Sequence, residues 1–131
     1  QNYIVVSIKK QEIWVIRKGK LAVHLTDVVT GTYTGGKGNR TPTGVWYIQY
    51  KESPSVLRGV NDDGSKYASK VQYWMPFTLT GCGFHDASWR SDWSKTAYLK
   101  GGSHGCVNIR PSEIHNVWHN VIKDEPVIVY N

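Results

Sequence analysis

Tyr3-Ile4-Val5-Val6-Ser7-Ile8-Lys9-Lys10-Gln11-Glu12-Ile13-Trp14-Val15-Ile16-Arg17-Lys18-Gly19 stands near the head of a chain of 131 residues. Residues 3–9 alternate or run apolar, and Lys10-Gln11 reads as a tight turn. Residues 12–17 make a second strand rich in β-branched and aromatic side chains. Lys18-Gly19 turns again, and residues 21–29 alternate into a third strand. The pattern predicts a β-meander and a mainly β domain.

Outward from the meander, residues 31–44 hold five glycines and one proline, which is loop composition. No Gly-Lys-Ser/Thr closes this stretch and strand-like residues 45–50 follow it, so a phosphate cradle is poorly supported. Residues 51–70 carry Pro54, Gly59 and Asn61-Asp62-Asp63-Gly64 without periodicity, which predicts either a lid or binding loop or a plain insertion. Strand sequence resumes over 71–80. One segment is helical, about 111–122: Pro111 suits the first helical position, and Ile114, Val117, Trp118, Val121 and Ile122 repeat at i, i+3, i+4, i+7, i+8. His115 and His119 fall on its other side, an i, i+4 pair with no third ligand nearby, and read as solvated. Residues 126–130 close with a strand.

The net charge of +6 suits an anionic partner, but the basic residues are scattered in pairs such as Lys9-Lys10 and Arg17-Lys18. There is no basic run of five and no basic helical stripe, so no nucleic-acid partner is expected. No stretch approaches the roughly 20 apolar residues of a membrane span, and no membrane contact is expected from the domain itself. No signal peptide precedes Gln1, and the length fits one domain over 1–131, which we expect to be excised from a longer chain. Six Trp and eight Tyr are mostly core and strand fillers, with a few left to line a groove for an extended ligand. Two cysteines are too few for a disulfide framework; one bridge or one reactive thiol remains.

The polar chemistry concentrates in Gly81-Cys82-Gly83-Phe84-His85-Asp86 and Ser103-His104-Gly105-Cys106-Val107-Asn108-Ile109-Arg110. A cysteine between glycine and nearby histidines suits a nucleophile. Glycine admits close backbone approach, and an imidazolium lowers a thiol pKa so that thiolate forms near neutral pH. His85 is distant in sequence, as expected of a base brought alongside by folding. The N–H groups of Gly105 and Cys106 are candidate oxyanion donors. Two alternatives stay open at this level: Cys82, His85, His104 and Cys106 as a Cys2His2 zinc site, and a Cys82–Cys106 disulfide.

His85, 17 intervening residues and then Ser103-His104-Gly105-Cys106-Val107-Asn108 resemble the signature of the L,D-transpeptidase (YkuD-like) catalytic domain. Gly35-Gly36-Lys37, Thr41-Pro42-Thr43-Gly44, the helix after Arg110-Pro111-Ser112-Glu113 and Pro126-Val127-Ile128 are similar as well, so the resemblance covers nearly the whole chain. It implies a mixed β-sandwich or barrel-like sheet pair with short helices, working in the bacterial cell wall outside the cytoplasm, with the full-length chain membrane-anchored or secreted. It implies that Cys106 attacks the carbonyl of the third residue of a peptidoglycan tetrapeptide stem and expels the terminal D-Ala. The thioester then passes to an acceptor stem amine, or to water in a carboxypeptidase side reaction. Carbapenem-type β-lactams are implied as covalent inhibitors, and neither cofactor nor metal is required. By position His85 is the base, oriented by Ser103 or by the backbone carbonyl of Asp86. His104, Asn108 and Arg110 are expected at the rim, Arg110 for a stem carboxylate, with Asp86, Trp74, Tyr67 and Trp89 as further substrate contacts. A non-catalytic wall-binding domain of the same fold is the remaining alternative.

Overall fold

The structure is a computed structural model and describes residues 1–33, 39–61 and 63–131. Gly35-Gly36-Lys37 lies outside the described residues. β1 (Tyr3–Ser7), β2 (Glu12–Arg17) and β3 (Lys20–Leu25) pair antiparallel, as the meander predicts. Gln11, Lys18 and Gly19 take positive φ of 55°, 51° and 75°, so the chain reverses within short turns. β3 stops at Leu25, short of Val29; the chain bends away, and Val29 bridges to Asn108 instead.

β10 (Pro126–Tyr130) inserts parallel to β1 and antiparallel to β4 (Gly44–Tyr47), giving the sheet order β3-β2-β1-β10-β4. Pro126 sits at the first strand position, where a missing N–H interrupts no ladder. A second sheet is β7 (Trp74–Pro76), β8 (Gly83–Asp86) and β9 (Val107–Ile109), in that order, with β8 and β9 parallel. Ile4, Val6, Ile13, Val15, Val127 and Val129 from the first sheet share one core with Met75, Phe84, Val107 and Ile109 from the second. The fold is therefore mainly β, two sheets packed over a common core with short helices, as the resemblance implies.

Several expectations need correction. The helix α2 (Ile114–Asn120) is shorter than 111–122; its preceding residues form a turn closed by Glu113 and Ile114 N–H on the Arg110 carbonyl, at 2.9 and 3.1 Å. Ile114, Val117 and Val121 are buried as the periodicity predicts, but Val121 already has extended φ and ψ, so Ile122 leaves the apolar face and is 46% exposed. A single turn, α1 (Tyr98–Gly101), carries no periodic signal and was not expected. Residues 51–70 are not an irregular loop: β5 (Ser55–Val60) and β6 (Lys66–Val71) form an antiparallel hairpin. The expected strand over 71–80 is reduced to β7, and the one over 45–50 to the end of β4 followed by the buried Ile48.

Candidate active site

The parallel pairing of β8 with β9 sets Phe84 beside Val107 and His85 beside Asn108. Cys106 immediately precedes β9 and meets the start of β8. Its Sγ donates to the Gly81 carbonyl at 3.5 Å, and the Gly83 N–H points back at the sulfur. Gly105 holds φ of 127°, and a Cβ there would stand 2.9 Å from Cys82 Sγ, so the residue before Cys106 must be glycine on two counts. Thr41 Oγ1 donates to the Gly105 carbonyl at 2.7 Å and accepts from Gly31 N–H at 2.9 Å, which ties the cysteine turn to the loop after β3. Ser103 Oγ donates to the Cys106 carbonyl and accepts from Gly105 N–H at 3.1 Å.

His85 is buried, its Nδ1 2.6 Å from the Asp86 carbonyl. A carbonyl can only accept, so Nδ1 carries the proton and Nε2 keeps the lone pair. Of the two expected orienters of His85, the Asp86 carbonyl makes the contact, and Ser103 instead braces the cysteine turn. On the other side stands the Asn108 amide. With its oxygen toward Arg90 it accepts from Nε at 3.0 Å and Nη2 at 3.3 Å and donates to His85 Nε2 at 3.3 Å. The Trp74 and Trp89 rings flank the imidazole at centroid distances of 5.9 and 5.8 Å.

The surroundings shift both His85 and Cys106 toward their neutral forms. Burial pulls the imidazole of His85 below its usual range; Arg90 pulls the same way, while the Asp86 carbonyl and carboxylate oppose both. Burial pushes the Cys106 thiol up to about 12, with the neighbouring Cys82 adding to the effect and the Gly83 N–H opposing it. Both shifts run opposite to those of the expected thiolate–imidazolium pair: they favour a protonated thiol on the half-buried Cys106 beside a buried neutral ring.

A cavity of about 420 Å³ opens over these groups, lined by His85, Cys106, Asn108, Ser103 and His104. The β5–β6 hairpin supplies its opposite wall through Leu57, Arg58 and Tyr67. Tyr67 pairs with Gly59 across the hairpin, and a Cβ on Gly59 would stand 2.3 Å from the Tyr67 hydroxyl, so the glycine makes room for the phenol. The phenol ring stacks on His104 at 5.1 Å. Trp74 is buried behind His85 with Nε1 on the Tyr50 hydroxyl at 3.1 Å, whereas Trp89 is 52% exposed at the mouth.

Several expected roles do not survive. The Asp86 carboxylate turns away from the cavity and accepts the Gln72 and Tyr73 N–H groups at 3.0 Å, bracing the bend between β6 and β7. Arg110 pairs with Asp27 and stacks over Trp93 at 5.2 Å, and it does not line the cavity. The arginines that do are Arg58 and Arg90, neither of which stood out in sequence. Of the two expected oxyanion donors, Gly105 N–H is engaged by Ser103 Oγ at 3.1 Å, which leaves Cys106 N–H as the candidate. The four zinc candidates are directed elsewhere: Cys82 against Gly105, Cys106 to the Gly81 carbonyl, His104 onto Tyr67, and His85 between Asp86 and Asn108. Among the described residues no three His, Cys, Asp or Glu side chains are grouped to hold a metal, and both cysteines are free thiols.

A family model described as YkuD, L,D-transpeptidase catalytic domain, matches residues 1–129. No curated protein matches the chain. Among solved structures, the Ldtfm–avibactam carbamoyl enzyme aligns with a TM-score of 0.89 at 38% identity, over 99% of this chain and 49% of that one. A cysteine-to-serine variant of Enterococcus faecium L,D-transpeptidase gives 0.89 at 37% identity, over 98% of this chain and 49% of that one. The catalytic domain of E. faecium L,D-transpeptidase acylated by ertapenem gives 0.82 at 40% identity, over 98% of this chain and 96% of that one. The chain thus spans about half the length of the first two and nearly all of the third.

Proposed function

The chain belongs to the L,D-transpeptidase catalytic-domain family, and from that premise we propose that it is a single catalytic domain performing cysteine-dependent acyl transfer on peptidoglycan stem peptides. The observation that carries this reading is the polarity of His85. Its Nδ1 proton is committed to the Asp86 carbonyl, so only Nε2, in the cavity it shares with Cys106, is left to take a proton.

Cys106 Sγ attacks the carbonyl carbon of the third stem residue as its proton passes to His85 Nε2. Because both groups start neutral, transfer and attack run together, without a preformed thiolate. The developing oxyanion is met by Cys106 N–H, a contribution of about 2.7–4 kcal/mol by analogy with measured oxyanion donors. The imidazolium returns its proton to the departing D-Ala nitrogen, leaving a thioester on Cys106. An amine of a second stem, deprotonated by the same Nε2, then displaces the thiolate and completes the cross-link; water in its place gives hydrolysis. His104, Tyr67, Trp74 and Trp89 shape the cleft, and Ser103 with Gly105 holds the nucleophile's turn. The site of action is the wall outside the cytoplasm, where a net charge of +6 suits an anionic polymer. The ertapenem and avibactam adducts of the similar proteins support covalent inhibition of this chain by such compounds.

Intact-mass spectrometry after exposure to a carbapenem tests the proposal. One adduct per chain is expected on wild type and none on Cys106→Ala, while His85→Ala should acylate roughly 10²–10⁴-fold more slowly. An adduct on Cys106→Ala at the wild-type rate would place the nucleophile elsewhere.

A further inference from the structure

The relay around His85 has its direction fixed at both ends. At one end Arg90 can only donate, so the end of the Asn108 amide on which its Nε and Nη2 converge, at 3.0 and 3.3 Å, is assigned as the oxygen. The amide nitrogen must then face His85 Nε2, at 3.3 Å, and it can donate only to an unprotonated ring nitrogen. At the other end Nδ1 meets the Asp86 carbonyl at 2.6 Å, which can only accept. Every member is held. Arg90 Nη1 donates to the Gly101 carbonyl at 2.8 Å, and Arg90 N–H bonds the Ala87 carbonyl at 3.2 Å. Its carbonyl accepts Trp93 Nε1 at 3.1 Å, and Asn108 and His85 are both buried.

We propose that Arg90 is a positioning residue for His85: its guanidinium holds the Asn108 amide in one orientation, and the amide holds the ring in the tautomer that leaves Nε2 open to the Cys106 proton. The inference rests on the proposed acyl-transfer chemistry for its purpose, but its geometry stands without it. The amide contact to Nε2 is long, so the lone pair stays available to a proton arriving from the cavity. Once Nε2 is protonated, its N–H faces the amide N–H groups and, beyond them, a fixed cation. The imidazolium is therefore short-lived and hands its proton on to the leaving amine.

The charged and titratable groups around the ring are few. Asp86 follows it in the chain with its carboxylate turned to the β6–β7 bend, Arg90 comes from the loop after β8, and the Cys106 thiol comes from the turn just before β9. The hairpin brings Tyr67 and Arg58 to the same cavity, His104 comes from the cysteine turn, and β7 contributes only the Trp74 indole. Arg90 acts in the direction that keeps the ring neutral.

Long-range ¹H–¹⁵N spectra of histidine-labelled protein read the tautomer and titration of His85 directly, with no substrate. Wild type should show the single Nδ1–H form. Arg90→Gln, whose amide can present either end, should mix the tautomers and move the His85 midpoint upward. Asn108→Asp, which cannot donate, should raise it as well. Carbapenem adduct formation should slow by up to roughly a hundredfold in Arg90→Gln, and this loss should largely vanish when Arg90→Gln is added to Asn108→Ala. Arg90→Lys keeps the charge without the fork; should Arg90→Gln fail to fold, this variant should loosen the tautomer while holding the midpoint. A wild-type tautomer in either folded Arg90 variant overturns the proposal. So does a rate loss that adds fully to that of Asn108→Ala, which would make Arg90 a substrate contact. Failure of the acyl-transfer reading would instead show as a wild-type protein that forms no adduct while its histidine spectrum stays as described.

Discussion

At Cys106 the surroundings decide the chemistry more than the residue type does. A cysteine among glycine and histidine reads in sequence as an activated thiolate, yet desolvation at the half-buried Cys106 pushes its thiol up to about 12. On the proposed mechanism, activation is deferred to the encounter with substrate. Native protein treated with iodoacetamide across a pH series should modify Cys106 with an inflection above the ordinary thiol value of about 8.5. Denaturant should return that inflection to the ordinary value. Mass spectrometry of the Cys106 peptide makes the measurement, and an inflection below the ordinary value would show a thiolate–imidazolium pair at rest.

Among the elements, α2 shows how a distant side chain finishes what the local sequence leaves open. The helix ends at Asn120, and Lys51, 67 and 70 residues away in the chain, donates to Trp118 and Val121 carbonyls at 2.6 and 2.7 Å. The same ammonium sits 4.3 Å over the Trp118 ring. Lys51→Met keeps the aliphatic stem and loses the charged donor, so it should cost about 1.5–3 kcal/mol in urea unfolding; a loss under about 0.5 kcal/mol would mean water caps the helix equally well. The elements also separate what was legible from what was not. The meander and β10 were legible because their alternate side chains enter a dry core, and the signature at 103–108 was legible because its chemistry is contiguous in sequence. The β5–β6 hairpin was missed for the opposite reason. Its less exposed positions are Ser55, Leu57, Gly59, Tyr67 and Ser69 while Val56 and Val60 are exposed, and no apolar alternation marks it. Arg90 was missed because its partner Asn108 is brought to it only by the β8–β9 pairing, and Arg110 was misplaced because adjacency to the signature does not say which way a side chain turns.

For the molecule as a whole, the site and the fold are linked through protons. The folded protein holds the Cys106 thiol proton up to about 12, whereas the unfolded chain releases it near 9.0, so the folded state binds the extra proton in that window and stability falls as pH rises through it. His85 works at the other end. The unfolded chain takes up its histidine proton near 6.5, while the folded protein keeps the ring neutral to lower pH, so stability falls as pH drops below that value. Other groups titrate at both ends, so the informative quantity is the difference in melting temperature between wild type and a variant that cannot titrate there. Cys106→Ala should gain on wild type progressively above about pH 9, and His85→Gln should gain on it progressively below about pH 6.5. Each difference should be flat near neutrality. Thermal melts in reducing buffer across pH 5–10 make the comparison, and curves that stay parallel over the whole range would mean that neither proton is coupled to folding. In that case the neutral resting pair, and with it the concerted proton transfer, would have to be abandoned.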